Sequence, residues 1–89
     1  MSTKYPELSP QTWGELNAEV FSARMKFPNN SFLLTALMEE VGELARAYLQ
    51  GQGEQRVKAE ALQVACVALR IYEESDPIYK AMTKEQQKA

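Results

Sequence analysis

Two long stretches with helical spacing of apolar residues are separated by only three residues, Gly51-Gln52-Gly53. A break this short between two helices leaves them one arrangement, as antiparallel neighbours. Glycine supplies the left-handed residue that closes a helix C-terminus. The spacing therefore predicts a hairpin, with one helix over about residues 32–50 and the next over about 54–74.

The flanks read as helices too. Ser9-Pro10 has the form of an N-cap followed by proline at the first helical position, and opens a helix running to about Lys26. Trp13, Leu16, Val20, Ala23 and Phe27 recur at spacings of three and four, giving one apolar stripe. Pro28 disfavours helix at Phe27, and Asn30 or Ser31 is placed to cap the second helix. Ser75-Asp76-Pro77 ends the third helix and is placed to cap a short fourth, over about residues 77–87. Strand-like alternation is absent. The expected architecture is all-α and a single domain over residues 1–89, with its core in about 9–75. A hairpin of this size cannot cover both of its own faces, so the expectation includes a four-helix bundle completed by oligomerisation.

Composition narrows the chemistry. The chain has no histidine and one cysteine, Cys66, within the apolar run "VACVAL". That excludes triads built on imidazole, intrachain disulfides and cysteine-based zinc sites. Cys66 reads as a small core residue. A net charge of −2 with scattered basic residues gives no nucleic-acid footprint. No apolar run reaches membrane-spanning length, and "MSTKYPELSP" lacks the apolar core of a signal peptide, so a cytoplasmic location and no membrane partner are expected. Carboxylates, amides, hydroxyls and basic groups remain as the chemical repertoire.

The carboxylates are not all on wet faces. At about 100° per residue, the second helix carries an apolar arc of Leu33, Leu44, Leu37, Tyr48, Val41, Leu34 and Ala45. Glu40 lies beside Leu33 at the edge of that arc, Glu43 lies among Ala36 and Ala47, and Glu39 lies further out. On the third helix Glu60 falls inside the arc of Val67, Ile71, Val64, Val57, Ala68 and Ala61, with Gln63 one step beyond its edge. Counted from the turn, Glu43 and Glu60 are at nearly equal distance, as are Glu40 and Gln63. Antiparallel helices bring equal distances to equal height, so these four side chains should converge. A buried, unpaired carboxylate is expensive. Either a hard cation lies among them, Mg²⁺ first with Mn²⁺ or Ca²⁺ as competitors, or Arg56, Lys58 or Arg70 neutralises Glu60. The plainer reading of "EEVGE" alone is a solvated helix face, which leaves Glu60 unexplained.

"EEVGE" followed, after sixteen residues, by "EALQ" resembles the E-E-x-x-E … E-x-x-D signature of MazG-like nucleoside triphosphate pyrophosphohydrolases. The preceding "KFPNNSFLLTALMEEVGELARA" resembles the dCTP pyrophosphatase-like branch of that all-α superfamily. The resemblance implies hydrolysis of (deoxy)nucleoside triphosphates between the α- and β-phosphates. It implies Glu40, Glu43 and Glu60 as metal ligands, with Gln63 in the place of the family's aspartate, and Glu39 as the residue that orients attacking water or holds a second metal. It also implies a homodimer or homotetramer and an aromatic base pocket, for which Phe27, Trp13 and the Asn29-Asn30 loop are candidates, with plain core packing as the alternative for Trp13 and Phe27. Lys26, Lys58, Arg70 and Lys80 are candidates for phosphate contact, or are solvated charges. An amide at Gln63 brings no charge, which leaves two readings. One is an enzyme that tolerates a weak ligand. The other is a weak or inactive relative that binds nucleotides or serves as an oligomeric helical module.

Overall fold

In the computed structural model, which describes residues 6–75 and 77–88 and the side chains through residue 82, the chain forms four helices in the order α1 (Pro10–Lys26), α2 (Leu33–Leu49), α3 (Glu54–Glu74) and α4 (Pro77–Lys88). The described residues contain no strand. None of these helices is long and apolar enough to cross a membrane.

The helix ends have local causes. Ser9 Oγ accepts from the Thr12 backbone N–H at 3.1 Å, and Pro10 occupies the first turn, where a missing N–H costs nothing. Between α1 and α2 the expected cap from Asn30 or Ser31 is not formed. Phe32 stands at the cap position with no side-chain hydrogen bond. Asn29 Oδ1 instead accepts from the Ser31 N–H at 2.9 Å, folding the loop on itself, while Asn30 is drawn away to Glu74. Helix α2 closes with Gly51 at φ 62°, Gln52 N–H donating to the Ala47 carbonyl at 3.0 Å and Gly51 N–H to that of Tyr48 at 3.3 Å. This pair of hydrogen bonds across a left-handed glycine is the Schellman closure, and a side chain at Gly51 would strain it. Gly53, at φ 105°, then launches α3. Helix α3 ends at Ser75, itself at φ 65°. The cap expected of Asp76 lies outside the described residues.

Helix α3 is the spine and packs against both α2 and α1. Leu16, Leu33, Ala47 and Cys66 are the buried apolar residues among those described, and Glu60 and Arg70 are buried with them. Helix α2 turns Leu33, Leu37, Glu40, Leu44 and Ala47 inward, which is one edge of its apolar arc rather than its centre. The centre stays open: Leu34, Val41 and Tyr48 are 58 %, 46 % and 73 % exposed. Helix α4 brings Tyr79 to a small recess shared with Leu34, Ile71 and Ser75.

Candidate metal centre

The short Schellman turn sets the register of α2 against α3, and that register brings the acidic residues together. Glu40, Glu43 and Glu60 each offer a carboxylate oxygen, and the three oxygens lie within 4.8 Å of one another. Glu60 is 5 % exposed. Its Oε1 is held by the Arg56 guanidinium at 3.0 Å, an i,i+4 pair on the first turns of α3. Its Oε2 is buried and accepts no hydrogen bond, and the same is true of Glu40 Oε2. Burial pushes the Glu40 carboxyl above its usual range, and the charges of Glu43, Glu60 and Glu39 add to the effect. Of the basic residues considered as neutralisers of Glu60, Arg56 is the one that meets it. Lys58 pairs with Glu54, and Arg70 with Glu74.

A cavity of about 360 Å³ opens beside this cluster, between α1, α2 and α3. Glu39, Glu40 and Gln63 line one end, Phe27, Asn29 and Phe32 come from the loop, and Cys66 and Arg70 stand on α3. Phe27 and Phe32 keep much of their ring surface exposed, at 65 % and 63 %. Burial raises the Cys66 thiol, so the wall it forms is uncharged. Gln63 lies in the cavity wall with its Nε2 donating to Glu19 Oε2 of α1 at 2.8 Å.

The loop that carries the aromatic residues is tied down by ion pairs and hydrogen bonds. Arg70, 4 % exposed, donates from Nε to Glu74 Oε2 at 2.8 Å and from Nη2 to Oε1 at 3.0 Å. Its Nη1 donates to the Phe27 carbonyl at 3.0 Å. Glu74 also accepts from Arg24 at 2.7 Å and from Asn30 at 3.2 Å. The Arg70 guanidinium first, with Arg24 and Asn30 helping, holds the Glu74 carboxyl down at about 2 against the upward push of burial.

Not every residue expected at the site is there. Trp13 lines a separate groove between α1 and α3, with Val20, Phe21, Met25 and Leu69. Lys26 is exposed at the end of α1 and lies outside the cavity wall. Asn30 anchors the loop through Glu74, and its neighbour Asn29 faces the cavity. Glu19, Phe32 and the anchoring role of Arg70 were missed. Glu19 sits three residues from Leu16 and four from Ala23, at the edge of the α1 stripe, the same kind of position that marks Glu40 on α2.

No family model matches the chain, and no curated protein or solved structure matches it.

Proposed function

We propose that this chain is a metal-dependent nucleoside triphosphate pyrophosphohydrolase, cleaving (deoxy)nucleoside triphosphates between the α- and β-phosphates to a monophosphate and pyrophosphate. The observation that carries the reading is the pair of buried carboxylate oxygens, Glu40 Oε2 and Glu60 Oε2, that accept no hydrogen bond within a cluster of three carboxylates. Like charges at this distance repel, and although Glu43 is exposed, burial of the other two oxygens removes water that would screen them. The donor set is oxygen only, which fits a hard divalent cation, Mg²⁺ or Mn²⁺. Glu40, Glu43 and Glu60 would hold it, with Gln63 as a neutral fourth oxygen. Such a cation supplies charge neutralisation at phosphate oxygens and activation of water. The resemblance of the glutamate pattern to MazG-like enzymes supports the same reading.

The chain's own residues divide the remaining work. Glu39, in the cavity wall beside Glu40, would orient water toward a phosphorus atom. Phe27 and Phe32 offer aromatic faces for a nucleobase, with Asn29 beside them to hydrogen-bond its edge. A second copy of the chain covers the open Leu34–Val41–Tyr48 face, completing a four-helix bundle as a homodimer or homotetramer. The second reading, a weak relative that binds nucleotides without turnover, rests on the amide at Gln63.

Pyrophosphate release from the four dNTPs with Mg²⁺ or Mn²⁺ tests both. Turnover by wild type that is lost in Glu43→Gln supports the enzyme. Silence in wild type with turnover in Gln63→Asp selects the second reading, and silence in both removes the hydrolase assignment.

A further inference from the structure

The hydrogen bond between Gln63 and Glu19 decides which end of the Gln63 amide faces which way. A carboxamide presents an NH₂ donor on one side of its plane and a carbonyl acceptor on the other. An ionised carboxylate only accepts. The end 2.8 Å from Glu19 Oε2 is therefore the NH₂ group, and the carbonyl oxygen takes no part in that bond. Glu60 and Gln63 are three residues apart on α3 and so neighbours on one helix face. Gln63 also shares a cavity wall with Glu39 and Glu40.

We propose that Glu19 is a positioning residue of the candidate metal centre. From α1 it fixes the Gln63 amide with its oxygen directed to the Glu40–Glu43–Glu60 cluster, so that Gln63 serves as a ready-made neutral oxygen ligand. The proposal rests on the metal-dependent reading of that cluster. A glutamine left to itself spends part of its time with NH₂ toward the carboxylates, where it satisfies their oxygens and competes with a cation. Glu19 disfavours that competing state, because the flipped amide would set its carbonyl oxygen against the Glu19 carboxylate, acceptor against acceptor. It acts on the metal through Gln63 and not as a ligand, as outer partners do that orient a metal ligand from behind. The amide at this position is then an oxygen donor with a dedicated orienting partner on another helix.

Calorimetric titration of the metal-free, full-length protein with Mn²⁺ tests this without reference to turnover. The variants are Glu19→Gln, Gln63→Ala, both together, and Glu15→Gln, which removes a charge from an exposed position one turn earlier on α1. Glu19→Gln is expected to weaken Mn²⁺ about tenfold, and Gln63→Ala by at least as much. Glu15→Gln is expected to change little. The double variant is expected to bind as Gln63→Ala alone, because Glu19 has nothing left to orient. Additive losses in the double variant overturn the proposal, since Glu19 then acts through its charge. Equal, small losses in Glu19→Gln and Glu15→Gln overturn it too. If wild type binds no Mn²⁺, the metal reading falls as well, and that outcome is distinct from the other two. Far-ultraviolet circular dichroism of each variant confirms that the helices persist.

Discussion

Replacing Glu74 with glutamine keeps the size of the side chain and removes the charge on which the cavity's loop depends. The cost follows from two independent quantities. The Glu74 carboxyl titrates at about 2 instead of the ordinary 4.5. A shift of that size corresponds to about 3 kcal/mol of preference for the charged form in the folded state. Some of it is screened, because Arg24 is 40 % exposed in its side chain, whereas Arg70 and Glu74 are at 4 % and 18 %. Leaving one member of a buried ion pair without its partner costs about 3–5 kcal/mol as an upper range. The expected loss for Glu74→Gln is thus about 2–3 kcal/mol, a drop of about 10–20 °C in midpoint for a chain of this length. The assay is urea and thermal unfolding followed by circular dichroism at one protomer concentration, since association shifts both midpoints. The sign of the pH dependence adds a second check. A depressed carboxyl pKa gives stability that is complete above the unfolded value near 4.5 and is lost as pH falls through about 2. Wild type and Glu74→Gln should therefore converge with acid, their gap falling below about half its neutral value by pH 3. A gap under about 0.5 kcal/mol at pH 7, the usual size of a surface change, or a gap that acid leaves unchanged, would refute the reasoning.

Three further outcomes follow from the same contacts. The raised Glu40 carboxyl gives stability present below its unfolded pKa and lost as pH rises through the folded value, so the protein in EDTA should gain urea resistance from neutral toward mildly acidic pH. Mg²⁺ should flatten that slope, and so should Glu40→Gln. Arg56→Gln frees Glu60 Oε1 from its present partner, so Mn²⁺ affinity by calorimetry should rise several-fold, and more than in Lys58→Gln, whose lysine pairs with Glu54 instead. Val41→Lys places a charge in the middle of the open α2 face, and light scattering should report a monomer, against the dimer or tetramer proposed for wild type. An unchanged mass would move the interface elsewhere.

The hairpin was legible in the sequence because each of its determinants is local. Two glycines two residues apart, a proline inside the start of α1 and the spacing of apolar residues set the limits of α1, α2 and α3. Glu60 announced itself by lying within an apolar arc, and equal counting from the turn placed Glu43 against it. The cavity's other parts were less legible, because they depend on how α1 lies across α3. The Gln63–Glu19 and Asn30–Glu74 bonds each span 44 residues, and nothing in their local patterns pairs them. Arg70 illustrates the difficulty: its position suggests service to Glu60 or to phosphate, yet a glutamate one turn on and a loop carbonyl claim it. Trp13 was misplaced for a simpler reason. An apolar stripe says which face of α1 turns inward but not which of its residues lies at a given neighbour, and Trp13 lines a different groove from the cavity.

Phosphorus NMR of the products formed from a deoxynucleoside triphosphate, with Mg²⁺ and then with excess EDTA, tests the central claim most directly. The account predicts pyrophosphate and monophosphate in equal amounts, with formation stopped by EDTA and restored by added Mg²⁺. Orthophosphate with a nucleoside diphosphate, or turnover indifferent to EDTA, would contradict it.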